Sequence, residues 1–485
     1  MSRWLHTLNL SGKVLVLFGL LALAPVAVSL ATGDGEWRAF AKTAGLAIVA
    51  GGGTALLTRR ARADLKVRHG FFLVLQVWVL LPLFGAIPIL LIVDDVTLTK
   101  AYFEAASGMT ASGGTVLSGI DALPPSLNFW RGEMIWLGGM GLIVLTIAIL
   151  PFLGVGGRQL LTTELPGPLK EQNLTPQITK TAKGLWLIYL SLTLLCLLSY
   201  RLAGMEWFDA TVHSMTTLAL GGFSSHDLSF GHYDSVAIEA VAIFFMLVAG
   251  MNFATHFSAF LSKDLRSYWQ DVEIKAFLGI MAAAVAAVTL FLWARGEYDT
   301  LAESLRYGAF NTVSIATTTG YSNTDFGAWP LFAPLLMLML ANFAACGGST
   351  GGGVKMVRGI ILWRQVGTES LKLLHPKAFY DTKFGGQTLP NRILVSVLFF
   401  VLAYLASAVI LMMMLVATGM DFLTAFSAAV ASISNTGPGL GDVGPAANYG
   451  WLSDTQTWLC TFAMLLGRLE ILAFMVALHP SFWRG

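Results

Sequence analysis

The chain has 485 residues, of which 55% are hydrophobic and only 12% charged, with a net charge of +2. Soluble domains average about 25% charged residues, so this composition, with a mean hydropathy of +0.69, excludes an ordinary soluble fold and points to a polytopic membrane protein. No basic tail or arm suggests nucleic acid, and Cys196, Cys346 and Cys460, an odd trio scattered through apolar sequence, do not read as a disulfide framework.

A run of about 20 apolar residues crosses a bilayer as a helix. Ten spans are expected: Val14–Ala31, Thr43–Leu57, Phe71–Val93, Met134–Leu153, Leu185–Leu202, Val236–Leu261, Ala276–Trp293, Leu331–Leu362, Ile393–Ala417 and Trp458–Leu478. The first has Arg3 and Lys13 upstream, like a signal peptide, but no small-x-small site closes it, and it reads as a retained helix. Basic connections at Arg59–Arg68, Arg158–Lys183, Lys263–Lys275 and Lys355–Arg392 all follow even-numbered spans. The positive-inside rule therefore places both termini in the cytoplasm.

After spans three, five, seven and nine come semi-polar stretches too short to cross: Ala101–Met109, Trp207–Thr217, Leu301–Ile315 and Asp421–Ser432. Each leads into a run of Ser, Thr and small residues that ends on glycine. These are Ala111-Ser112-Gly113-Gly114-Thr115, Leu220-Gly221-Gly222-Phe223-Ser224, Thr317-Thr318-Thr319-Gly320-Tyr321-Ser322 and Ser434-Asn435-Thr436-Gly437-Pro438-Gly439. Helix, half-helix, extended loop, helix is a re-entrant unit. Backbone at membrane depth is tolerated only where it lines water or is buried in protein. Glycine permits positive φ, so that carbonyls can be aimed together, and a ring of carbonyls can replace the hydration shell of a cation. Each half-helix also turns a partially negative C-terminal end toward its loop. Four units in one chain suggest one pore.

Cys346-Gly347-Gly348-Ser349-Thr350-Gly351-Gly352-Gly353-Val354-Lys355 interrupts the eighth span, since glycine costs a helix about 1 kcal/mol per residue. A phosphate nest is the bland reading, but the G-x-x-x-x-G-K-[ST] order is missing. Arg468 stands midway along the last span, where a charge is costly and normally faces a pore or a protein partner; snorkelling, or pairing with Glu470, is the alternative. Gly138-Gly139-Met140-Gly141 reads as helix packing. Trp130, Trp207 and Trp329 read as an interfacial belt. The eight histidines show no H-E-x-x-H spacing, so no metal site is expected. Asp209, His213, His226 and Asp227 gather around the second glycine segment and read as pore-mouth residues before any enzyme site.

Together these motifs resemble the Trk/Ktr/HKT superfamily of potassium transporters, and within it the TrkH-type bacterial membrane subunits, over essentially the whole chain. The resemblance implies an all-α polytopic membrane protein with four helix–pore-loop–helix repeats around a pseudo-fourfold pore plus two extra N-terminal helices. The extra pair would occupy 1–69, and the repeats 70–155, 184–262, 275–365 with the gate loop, and 391–485. It implies a potassium-binding filter at Ser112, Gly113, Leu220, Gly221, Gly222, Thr319, Gly320, Thr436 and Gly437, with main-chain carbonyls as the principal ligands. Two of the segments depart from the family pattern: Ala111-Ser112 stands where Thr-Thr is commoner, and Leu220 replaces Thr or Ser. In plant relatives Ser for the first glycine goes with sodium transport; here all four glycines are kept, which favours potassium. The implied gate is Gly347, Gly348, Ser349, Thr350, Gly351, Gly352, Gly353 and Lys355, with Arg468 facing the pore beneath the filter and linked to the loop.

The implied function is potassium uptake across a bacterial cytoplasmic (inner) membrane, without catalysis or a covalent cofactor, potassium being the substrate. Sodium- or proton-coupled cation symport is the alternative, for which Glu470 is one of few intramembrane carboxylates; an integral-membrane enzyme ranks behind both. The implied partners are a second copy in a homodimer, membrane lipid, and a cytoplasmic nucleotide-binding ring of TrkA type. That ring would dock on the basic stretches Arg158–Lys183 and Arg358–Arg392.

Overall fold

Apolar runs bounded by glycine, proline and capping residues fold into helices across the described residues of the computed structural model, namely 2–61, 67–149, 174–469, 471, 474 and 480. An N-terminal group comes first. Helices α1 (Ser2–Leu21) and α2 (Leu23–Thr32) form one span interrupted at Ala22, and they pack against α3 (Trp37–Leu57). The packing is glycine on glycine: a Cβ on Gly51 would lie 2.5 Å from the Gly12 carbonyl oxygen, an approach that small residues allow between membrane helices.

Four units follow. The first is α4 (Val67–Ile92), α5 (Leu98–Met109) and α6 (Pro125–Ile149). The second is α7 (Leu174–Leu202), α8 (Trp207–Leu218), α9 (Val236–Gly250) and α10 (Phe253–Ser262), followed by the short α11 (Arg266–Gln270). The third is α12 (Val272–Arg295), α13 (Leu301–Ala316), α14 (Phe332–Ala341) and α15 (Met356–Leu374). A two-stranded hairpin, β1 (Lys383–Phe384) against β2 (Gln387–Thr388), leads to the fourth: α16 (Asn391–Ala417), α17 (Phe422–Ser434) and α18 (Asp454–Arg468).

The half-helices α5, α8, α13 and α17 lie within a turn of the expected stretches, and polar caps explain three of their starts. Thr97 accepts from the Lys100 N–H, Asp421 accepts from the Thr424 N–H, and Thr300 forms a capping box with Glu303.

Several expectations are corrected. The sixth span is not one helix: α9 and α10 meet at a 91° bend, where the Asn252 side chain caps α10 through the Ala254 N–H. The second span begins at Trp37 instead of Thr43, and the helix after the eighth-span break continues past Leu362 to Leu374. Among the described residues six helices are long and apolar enough to cross a membrane, or seven with the bent pair. The other expected spans coincide with α6, the broken α14–α15 and α18; residues 150–153 and most of those beyond 469 lie outside the described residues. Trp130 is wholly buried, donates Nε1–H to the Gly85 carbonyl and packs on Phe18 and Phe40. Trp329 is buried and donates to the Tyr298 hydroxyl. Both belong to the protein interior, whereas Trp207 is 58% exposed, as a belt residue would be.

Candidate ion pathway

Each half-helix ends in the same turn. Ala111, Leu220, Thr318 and Asn435 adopt left-handed φ of 51°, 53°, 63° and 55°, and two residues later Gly113, Gly222, Gly320 and Gly437 stand at 85°, 67°, 88° and 91°. In between, the N–H groups of Ser112, Gly221, Thr319 and Thr436 reach back to Ser107, Thr216, Ser314 and Ala431 at 2.8, 3.0, 2.8 and 2.9 Å. This is the left-handed helix terminator, with the bond spanning five residues. One local motif is written four times.

The copies close on one another. A Cβ on Gly113 would lie 2.3 Å from the Gly221 carbonyl oxygen, one on Gly222 2.1 Å from that of Thr319, one on Gly320 2.2 Å from that of Thr436, and one on Gly437 2.7 Å from that of Ser112. The contacts run from unit one to two, three, four and back to one. Each glycine meets the carbonyl of the residue immediately before the next glycine. Ser112, Gly221, Thr319 and Thr436 thus contribute equivalent carbonyls to one ring, and only glycine has both the φ and the room at its neighbour's side.

The hydroxyls have other duties. Thr319 Oγ1 is bonded to Thr317 Oγ1 at 2.7 Å and Thr436 Oγ1 to Ser434 Oγ at 2.8 Å. Of the residues that depart from the family pattern, Ser112 gives its carbonyl to the ring, whereas Ala111, buried with Ile135, Ala219 and Phe223, and Leu220, in the cluster of Met140, Tyr189 and Tyr321, lie behind it.

Sequence reasoning missed the side chains that brace this ring. The buried Glu104 carboxylate accepts from the Val116 N–H (2.9 Å), Thr115 Oγ1 (3.0 Å) and Arg131 Nε (2.9 Å). Arg131 in turn donates to the Ser224 carbonyl at 3.0 Å, tying unit one to unit two. The Tyr321 hydroxyl pairs with Thr216 and Thr217, tying three to two. Tyr449 donates its hydroxyl to the Gly437 carbonyl and its N–H to the Thr115 carbonyl, both at 2.8 Å, tying four to one. The available signal was Glu104, a charge inside a half-helix at membrane depth.

The glycine-rich loop lies against one end of the ring. Thr350 Oγ1 donates to the Leu218 carbonyl and the Gly352 N–H donates to Thr318 Oγ1, both at 2.9 Å. A Cβ on Gly352 would stand 1.9 Å from the Ser434 carbonyl oxygen. The loop therefore touches units two, three and four. Its base is fastened by Glu273 Oε1, which accepts from the N–H groups of Gly347 (2.6 Å) and Val357 (2.9 Å). The Gly348 carbonyl accepts from the Phe253 N–H at 3.1 Å, so the bend between α9 and α10 makes the seat for the loop. Ser349 Oγ donates to the Cys346 carbonyl at 2.6 Å, Lys355 Nζ donates to the Gly351 carbonyl at 2.7 Å, and Gly353 abuts the Ala341 carbonyl.

Arg468 is 2% exposed. It donates to the Thr350 carbonyl at 2.9 Å and to the Gly138 carbonyl at 3.2 Å, linking α18, the loop and α6. Gly138 itself packs on the end of α5, where a Cβ would lie 1.9 Å from the Met109 carbonyl oxygen. Glu470 and most residues after it lie outside the described residues, and residues 471 and 474 are helical beyond Arg468.

On the other side of the ring, His226 sits between two carboxylates, with Nδ1 2.5 Å from Asp121 and Nε2 3.1 Å from Asp209. Burial lowers its pKa, but the bonds and charges of Asp209 and Asp121 together outweigh burial and hold it above the ordinary 6.5. Asp227 donates its N–H to Asp121, and its carboxylate accepts from the Gly119 N–H at 3.1 Å. His213 is bonded to Ser224 Oγ at 3.0 Å. In the basic stretches, Arg358 is buried over the Phe400 ring and Arg364 donates to the Lys383 carbonyl. Residues 158–173 lie outside the described residues.

The sequence model of the TrkH family, described as a cation transport protein, matches residues 37–484. The chain belongs to the TrkH family. Relatives include the Trk system potassium uptake protein TrkH of Halomonas elongata, 42% identical over 478 residues, and that of Escherichia coli K12, 41% identical over 474, each comparison covering 98% of both chains. The crystal structure of the potassium transporter TrkH from Vibrio parahaemolyticus matches with a TM-score of 0.91 at 41% identity, over 99% of both chains. This TrkH-family chain is thus an all-α membrane transporter and not an enzyme.

Proposed function

We propose that this TrkH-family protein takes up potassium across the bacterial inner membrane through the carbonyl ring of Ser112, Gly221, Thr319 and Thr436. The observation that carries the reading is ring closure: four positive-φ glycines, each against the next unit's carbonyl. A dehydrating cation meets fixed oxygens there, with the C-terminal ends of α5, α8, α13 and α17 turned toward it. The loop 347–353, seated under the ring and pinned by Arg468, acts as the gate, and the buried guanidinium opposes a cation while the loop stays down. Inside-negative potential drives the ion inward at about 2.3 kcal/mol per charge per 100 mV. The transporter works as a homodimer with cytoplasmic termini, and a TrkA-type nucleotide-binding ring docks near α15 to release the gate. The basic stretches after even-numbered spans support that placement.

Rubidium uptake by purified protein in liposomes tests this. With an inside-negative potential and no other ion gradient, rubidium should accumulate and excess sodium should compete weakly. Uptake that requires an imposed sodium or proton gradient would replace the channel-like mechanism with symport. No flux in correctly inserted Arg468→Ala protein, whose loop is unpinned, would remove the carbonyl ring as the route.

A further inference from the structure

We propose that the outer mouth carries a binding site for a zinc-class divalent metal ion, with Asp121, His226 and His232 as ligands. Their ligand atoms all lie within 4.8 Å of one another, and the His226 and His232 rings are stacked with centroids 3.6 Å apart, so a turn of the exposed His232 ring brings its lone pair onto an ion held by His226 and Asp121. Two imidazoles and one carboxylate, with further positions open to water, form a donor set that suits zinc.

The surroundings are arranged as they are around metal-ligating histidines. His226 Nε2 is held by Asp209, which accepts from Ser225 Oγ at 2.7 Å. A carboxylate on one ring nitrogen fixes the tautomer that leaves the other nitrogen for the metal. That other nitrogen, Nδ1, is the one facing Asp121. Asp121 is oriented too: its Oδ2 accepts the Asp227 N–H, while Oδ1 faces His226. The ion would take the place of the Nδ1 proton.

The site opens outward, with Asp121 48% exposed, His226 17% exposed and His232 exposed. His213 and His256 differ, each being buried with both ring nitrogens already bonded to protein groups. Sequence spacing hides the group, because Asp121 follows the first glycine segment whereas His226 and His232 follow the second. Both segments return to the same side of the ring, and the ion would clamp the two loops together. A dication there repels potassium approaching the ring, so occupancy should inhibit uptake. Only this inhibitory effect rests on the proposed potassium pathway; metal binding does not.

Equilibrium dialysis of purified protein against radioactive zinc reads the site directly. Rubidium uptake with zinc added outside the liposomes reads its effect. Wild-type protein should bind zinc, and His232→Gln and Asp121→Asn should each weaken that binding about tenfold or more. Zinc should inhibit wild-type uptake, and inhibition by the two variants should need correspondingly more zinc. Their uptake without zinc reports correct folding. Absence of zinc binding by wild-type protein, or undiminished binding by both folded variants, overturns the site. Binding lost in the variants but without effect on wild-type rubidium uptake overturns the inhibitory role. The dialysis remains decisive even if no rubidium flux is seen.

Discussion

The ring and the loop beneath it are built on opposite plans. The ring is one backbone turn repeated four times, each glycine resting on the next unit's main-chain carbonyl. The loop occurs once, breaks a single helix, and holds to its neighbours through unlike side chains. The left-handed position before each ring carbonyl shows the contrast. Ala111 and Leu220 fill the core, Thr318 accepts from the loop, and Asn435 donates to the Met464 carbonyl on α18. Equal coordination needs equal backbone and tolerates different side chains around it. In the proposed gating role the loop needs few bonds, placed asymmetrically, that a partner can shift.

The sharpest way to break this comparison is at the ring. Gly222→Ala puts a Cβ where the Thr319 carbonyl stands 2.1 Å away and adds left-handed strain of about 1–2 kcal/mol. Discrimination of rubidium over sodium should fall about tenfold or more, measured as flux ratio in liposomes. Gly113→Ser should act in the same direction, and an unchanged ratio in folded protein would remove these glycines from the pathway.

Arg468→Ala works on the loop. It deletes two charge-assisted bonds, each worth about 1.5–3 kcal/mol, so partner-free rubidium flux should rise about tenfold or more. The rubidium-to-sodium ratio should hold near wild type, because the ring is untouched. Flat or falling flux in normally inserted protein would deny Arg468 its gating part.

Thr318→Val is subtler. It keeps the branched shape but removes the acceptor of the Gly352 N–H, a loss of about 1–3 kcal/mol. Flux without the partner should rise by a smaller factor than in Arg468→Ala, again at constant selectivity. A selectivity change without a flux change would mean that Thr318 serves the ring instead of the loop.

Tyr449→Phe should have the smallest effect. The neutral bond to the Gly437 carbonyl is lost, about 1 kcal/mol, and selectivity should slip by a few-fold with closed-state flux unchanged. A rise in partner-free flux would show that ring and loop are not separable.

The local features of this design were readable in the chain because local chemistry writes them. The half-helices are bounded by caps such as Thr300 and Asp421, and the four turns end on glycines that the backbone requires. The broken eighth span announced itself through its glycines. What stayed hidden depends on distant partners. The Glu104–Arg131 pair joins two helices of unit one, the Tyr321 and Tyr449 braces join different units, and Trp130 packs on the N-terminal group; hydropathy carries no trace of any of them. The bend at Asn252 was partly legible, since an Asn after Gly250 can cap a new helix, but the apolar residues on both sides made the run read as one span.

The most direct test of the account is to locate the ion. A structure of the protein determined in rubidium, with anomalous density phased on the metal, should show a peak enclosed by the carbonyl oxygens of Ser112, Gly221, Thr319 and Thr436, outward of the 347–353 loop. Density elsewhere along the pathway with this ring empty would contradict the claim that backbone carbonyls of the four glycine segments select the ion.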